Sequence, residues 1–147
     1  MIEVTVKHNF ETGHRLPHLP GKCQNLHGHS WWASVTVHAP DVDASGILVD
    51  FGQLKKGVRG WIDTYLDHGL MLGQDDPLRD LLQREGKVFT FGPELGNWPT
   101  VENVARLLVE VTEEVLSTIA GETPGLEAAV QRVVVRETHV NEASWVA

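Results

Sequence analysis

The run His27-Gly28-His29-Ser30-Trp31-Trp32-Ala33-Ser34-Val35-Thr36-Val37-His38 decides how the rest of the chain is read. Trp31, Ala33, Val35 and Val37 alternate with Trp32, Ser34, Thr36 and His38, the period-two pattern of a strand with one buried face. His27 and His29 share the parity of Trp31, so both imidazoles point to the face that continues into the core. Upstream, Ile2, Val4, Val6, His8 and Phe10 alternate with Glu3, Thr5, Lys7, Asn9 and Glu11 and predict another strand of the same kind. The stretch between them holds Gly13, Pro17, Pro20 and Gly21, so the economical pairing is a long hairpin.

Downstream the period changes. Leu54, Val58, Trp61, Ile62, Tyr65 and Leu66 fall on one helical face from Gln53, with Gly69 as the C-cap glycine and Gly57 and Gly60 weakening the helix. Residues 69–98 show no sustained periodicity, and Gly73, Pro77, Gly86, Gly92, Pro93 and Gly96 break them up. A long irregular segment of this kind is often functional. Thr100 reads as an N-cap, after which Val101, Val104, Leu108, Val111 and Val115 keep helical spacing up to Gly121. Val133 and Val135 alternate with Arg132, Val134 and Arg136 as a late strand, and Ala143–Val146 adds a short final one. The order β-β-α-α-β-β predicts an α+β fold, an antiparallel sheet with two helices on one face.

A chain of 147 residues suits one domain spanning 1–147. Twelve Lys and Arg against 20 Asp and Glu give a formal charge of −8, which repels phosphate backbones and anionic membranes, so no nucleic-acid or membrane partner is expected. The single cysteine, Cys23, excludes an internal disulfide and an all-cysteine zinc site and points to a reducing cytoplasm. The N-terminus lacks the basic start and apolar stretch of a signal peptide, and no apolar run is long enough to span a membrane. The expectation is a soluble, untargeted, cytoplasmic protein.

Eight histidines are unevenly spread: His14, His18, His27 and His29 fall within sixteen positions, with Cys23 among them. His14 shares the parity of Val4, Val6 and Phe10, so an extended strand brings its ring to the side of His27 and His29. Three neutral imidazoles at one point fit a tetrahedral Zn²⁺ with Zn–N bonds of about 2.0–2.1 Å. The fourth position is then either open, as in catalytic sites, or closed by Cys23 in a structural Cys-His₃ site. Spacing alone leaves both readings standing. Glu137 has the parity of Val133 and Val135, where an unpaired carboxylate is costly. A heterocycle with two adjacent N–H groups would satisfy it, as would a buried arginine or histidine. Asp67-His68 fits a proton shuttle or a solvated helix C-terminus, and Glu102 in the first turn of the second helix suits the helix dipole.

Taken in order, Phe10, Gly13-His14, Cys23-Gln24-Asn25-Leu26-His27-Gly28-His29-Ser30, Gly46 through Asp50-Phe51, Leu66-Asp67-His68, Pro99-Thr100-Val101-Glu102-Asn103 and Arg136-Glu137-Thr138 resemble the 6-pyruvoyltetrahydropterin synthase superfamily. The Cys-x₃-His-Gly-His spacing is similar to its 6-carboxytetrahydropterin synthase branch. The resemblance implies a tunnelling fold whose sheets join into a barrel in a trimer. Two trimers would stack as a homohexamer with active sites between subunits. It further implies zinc on His14, His27 and His29, Cys23 as general base, Asp67 and His68 as a proton-relay pair, and Glu137 as the anchor of the pterin ring. Thr100 and Glu102 would help line the pocket.

The implied reaction takes 7,8-dihydroneopterin triphosphate to 6-carboxy-5,6,7,8-tetrahydropterin, releasing acetaldehyde and triphosphate, on the route to 7-deazaguanines such as queuosine. A pyruvoyl-forming lyase and a non-catalytic zinc-stabilised oligomer are the competing readings. Two features depart from the pattern. Gly69-Leu70-Met71-Leu72-Gly73 and a long segment with Phe89, Phe91 and Trp98 stand where many relatives quickly reach Pro-Thr. The tail ends soon after Trp145, which implies a short last strand.

Overall fold

The computed structural model describes residues 1–147. Strand β1 spans Ile2–His14 and β2 spans His27–Ala39. They pair antiparallel over their whole length, from Ile2 opposite Ala39 through Phe10 opposite Trp31 to His14 opposite His27. This register puts the even residues of β1 and the odd residues of β2 on one face. Val6, Phe10, Thr12 and His14 are buried there with Trp31, Ala33, Val35 and Val37. Trp31 is the largest fully buried side chain, and its indole N–H donates to the carbonyl of Thr12 at 3.0 Å, so its polar end is satisfied without water.

Helix α1, Phe51–Tyr65, starts two residues before Gln53, where the sequence pattern places its beginning, because the Asp50 carboxylate accepts the Gln53 N–H at 2.8 Å and caps it. Its buried stripe is Leu54, Val58 and Ile62. Gly57 has a packing role here: a Cβ at that position would stand 2.4 Å from Val115 Cγ1, so glycine lets α1 approach α3, Val101–Glu122. Thr100 caps α3 as expected, its hydroxyl accepting from Asn103 N at 3.2 Å. Both helices cover the apolar sheet face, α1 against β1 and α3 against β5 (Ala129–Arg136) and β6 (Glu142–Val146).

The segment 69–98 is more ordered than its sequence suggests. It contains β3 (Gly69–Gly73), a short helix α2 (Arg79–Glu85) and β4 (Val88–Phe91), followed by a 3₁₀ turn at Pro93–Leu95. The strands were hidden because they are only five and four residues long, too short to show alternation. Strand β3 is parallel to both β1 and β4, so the sheet is mixed, in the order β4-β3-β1-β2-β5-β6. Gly69 is not the C-cap expected of it. Leu66 occupies that position, His68 takes the left-handed turn with φ 56°, and Gly69 already belongs to β3.

The opposite sheet face is polar. It presents Thr5, Lys7, Ser34, Thr36, Arg132 and Arg136 around Trp32, which is 50% exposed. No helix is long and apolar enough to cross a membrane.

Candidate metal centre

The far end of the β1–β2 hairpin gathers the histidines. His14 is 1% exposed and packs edge-on against Trp31, while His27 and His29 are half-buried beside it. Ring centroids lie 4.8 Å apart for His14–His27 and His27–His29, and 5.3 Å for His14–His29. Glu137, one residue beyond β5, joins them, and one donor atom from each of the four residues lies within 4.8 Å of all the others. Small side-chain rotations would close such a group on one ion with Zn–N bonds of about 2.0–2.1 Å.

Backbone carbonyls fix the tautomers. His14 Nδ1 donates to Pro99 O at 2.8 Å and His27 Nδ1 to Asn25 O at 2.6 Å. Each ring then turns an Nε2 lone pair toward the cluster, the arrangement typical of metal-bound histidine. Glu137 Oε1 stands 2.9 Å from His14 Nε2 and 3.0 Å from His29 Nε2, yet neither contact has hydrogen-bond geometry, and both nitrogens are buried without a partner. With its Nδ1 proton on Pro99 O, neutral His14 turns an Nε2 lone pair on a carboxylate oxygen, a repulsive contact that a cation between them would relieve, so the donor set fits a divalent metal.

Local electrostatics agree. Burial lowers the pKa of His29, helped by His14 and His27 and opposed by Glu137, which favours the neutral imidazole a metal requires. Contact with a protonated His14 holds the Glu137 carboxyl below its usual range against the opposing effect of burial, with positive charge on His29 and His27 adding to the shift, so the carboxylate favours a cation in the cluster. Glu137 therefore stays ionised.

The other expected residues are placed differently. Cys23 lies half-buried in a 3₁₀ turn, Lys22–Gln24, and is not a member of the cluster, whose fourth member is Glu137. Asp67 and His68 form a pair at 2.7 Å in the α1–β3 turn, where His68 is 79% exposed and also outside the cluster. Burial raises the Asp67 pKa, but the Glu11 N–H, His68 and Lys87 outweigh it and the net shift is downward. Thr100 acts as the α3 cap, and Glu102 is exposed on its first turn.

Sequence reasoning missed three supports: the carbonyls of Pro99 and Asn25, and a fork between Arg15 and Asp76 at 2.8 Å on both arms. Backbone carbonyls leave no mark in residue identity. The Arg15–Asp76 pair spans 61 positions and has no local pattern.

Residues 3–146 match the family model described as 6-pyruvoyl tetrahydropterin synthase. The chain belongs to this family. Within the family it is 39% identical over 106 residues to the 6-carboxy-5,6,7,8-tetrahydropterin synthase of Rickettsia bellii, covering 71% of this chain and 75% of that one. It is 29% identical to the Aquifex aeolicus protein of the same name, with 97% and 96% covered. Among solved structures, the 6-pyruvoyl tetrahydropterin synthase of Plasmodium vivax superposes with a TM-score of 0.73 at 19% identity, covering 98% of this chain and 96% of that one. The Caenorhabditis elegans 6-pyruvoyl tetrahydropterin synthase gives 0.65 at 25%, with 100% and 97% covered. The α+β tunnelling fold expected from the resemblance is therefore the fold of this chain.

Proposed function

We propose that this family member is a zinc-dependent lyase, a 6-carboxy-5,6,7,8-tetrahydropterin synthase acting in the cytoplasm on the route to 7-deazaguanines. Its substrates would be 7,8-dihydroneopterin triphosphate and one water, and its products 6-carboxy-5,6,7,8-tetrahydropterin, acetaldehyde and triphosphate. The observation that carries the reading is the convergence of His14, His27 and His29, with Nε2 of His14 and of His29 buried and unpartnered, in a chain whose curated relatives bear that enzyme's name. His14, His27 and His29 would hold the ion. When bound, zinc would acidify the carbon beside the substrate's side-chain hydroxyls.

The chain's own residues would do the rest. Cys23, on its turn near the hairpin end, would take the proton as thiolate. Glu137, ionised at the cluster's edge, would accept two N–H bonds from the pterin ring and fix its orientation. Asp67, anchored by the Glu11 N–H, would orient His68 to move protons during elimination and carbon–carbon cleavage. Because that pair faces solvent and lies outside the cluster, we infer that it serves a site shared with a second copy. Thr100 and Glu102 would line the same pocket from the start of α3.

Two expected results test this. Strands β4 and β6 leave the sheet with two open edges, and a homohexamer of two trimers would cover them. Light scattering at micromolar concentration should return six copies, and a monomer would refute the assembly. Glu137→Gln keeps the side chain's shape but turns one acceptor into a donor. It should weaken substrate binding by about 2 kcal/mol or more, with zinc content and fold kept. Unchanged KM and kcat would count against the anchor role.

The family model and the solved relatives carry the pyruvoyl-forming name, which favours a second reading. Mass identification of the product from dihydroneopterin triphosphate separates the two: a carboxy-pterin with acetaldehyde, or a pyruvoyl-pterin without it.

A further inference from the structure

The segment 69–98 grips the chain next to His14 at three points. Pro99, directly after the segment, receives the His14 Nδ1 hydrogen. Trp98 stacks on His18, with centroids 4.3 Å apart and planes 17° from parallel. Between them, the Arg15 guanidinium forks onto Asp76, Nε to Oδ2 and Nη2 to Oδ1, both at 2.8 Å.

Asp76 stands apart from the other acids of the chain. It is the sole acidic residue that is buried, and its side chain has no exposed surface. It is also held rigidly from its own side. Oδ1 accepts the Leu78 N–H at 2.8 Å, its backbone N–H donates to Gly73 O at 3.1 Å, and its carbonyl accepts Arg79 N at 3.1 Å.

A buried ion pair is a poor stabilising device, since desolvation costs about what the Coulomb attraction returns and apolar residues of equal volume often serve as well. Its distinctive property is geometric: a planar fork fixes distance and angle together. Here one end of the fork is the residue covalently next to His14, and the other is a preformed turn in the segment that leads to Pro99. We propose that Arg15–Asp76 is a positioning pair for the metal centre, holding the end of β1 in register with the 69–98 segment so that the Pro99 carbonyl can aim His14 Nε2 at the ion. This rests on the reading of the histidine cluster as a metal site and gives the packing of the 69–98 segment beside it a role.

The test is zinc affinity of the folded chain, measured by competition with a chromophoric chelator after removal of bound metal. Asp76→Asn leaves the shape but removes the charge, and outer-shell partners of metal ligands typically account for about 10–100-fold in affinity. A loss of that size is expected, with a smaller one for Arg15→Lys, which keeps the charge but not the fork. Asp63→Asn, which breaks the His8–Asp63 surface pair at 2.8 Å, serves as control and should bind like the parent.

Should Asp76→Asn fail to fold, the double variant Arg15→Met, Asp76→Leu replaces the pair with packed apolar groups. It should retain the melting temperature of the metal-free parent and still bind zinc weakly. Parental zinc affinity in either folded variant, whatever its melting temperature, overturns the proposal and leaves the pair a structural one. A parent that takes up no zinc overturns the metal centre itself, and the positioning role falls with it.

Discussion

The variant carrying both His27→Ala and His29→Ala is expected to purify without zinc, while the parent carries about one ion per chain. Complete zinc sites are worth about 10–16 kcal/mol in apparent binding energy, so losing two of three imidazoles should cost more than about 4 kcal/mol, a thousandfold or more in affinity. The fold should survive. His27 and His29 sit at the open end of β2, both half-buried, whereas the packing that holds this strand is Trp31, Ala33, Val35 and Val37 further along it. The His29→Ala change also removes a ring nitrogen that stands 3.0 Å from the Glu137 carboxylate, so no new unpaired contact is created there. Metal-free variant and metal-free parent should therefore melt at similar temperatures, and addition of zinc should raise only the parent's. Elemental analysis with a paired melting curve decides it. Full zinc occupancy in the double variant would move the metal elsewhere in the chain.

The parity argument reached this site because it rests on a property that tertiary context cannot alter: alternate residues of a strand share a face. His14 opposite His27, and Phe10 opposite Trp31, follow once both strands are extended and the register is set by the apolar face. The same parity carried Glu137 to the cluster, although β5 ends one residue before it. Parity says nothing of ring nitrogens, so the carbonyls of Pro99 and Asn25 that choose the tautomers are visible only in the fold.

Where the chain folds through short elements, sequence patterns lose their hold. Strands β3 and β4 form because β1 offers a free edge to Gly69–Gly73, a tertiary cause with no local trace. The turn at Asp67-His68 is similar. Gly69 reads as the natural left-handed residue, yet a Cβ there would stand 3.0 Å from Lys87 O, a strand-side contact, while His68 takes the positive φ. Histidine in that conformation carries a modest backbone cost, held in place by its N–H donating to Glu11 O at 2.7 Å and by its ring bonding Asp67.

Cys23→Ala is expected to give inactive, zinc-loaded, stable protein. A general base contributes about 10²–10⁴-fold, so kcat should fall by at least the lower of these figures. Stability should change by no more than about 0.5 kcal/mol, because the half-buried side chain lies outside the core cluster. The residue is tied in through its backbone, its carbonyl accepting the Leu16 N–H at 2.6 Å, a bond that alanine preserves. Zinc should remain because His14, His27 and His29 are gathered with Glu137 and not with the thiol. The closed Cys-His₃ alternative predicts the opposite in every measurement: a lost ligand, weaker zinc and a lower melting temperature, with no particular effect on product formation. Metal content, melting temperature and product formation on a single preparation therefore distinguish base from ligand. An active variant, or one that has shed its metal, would overturn the assignment of Cys23 as the base.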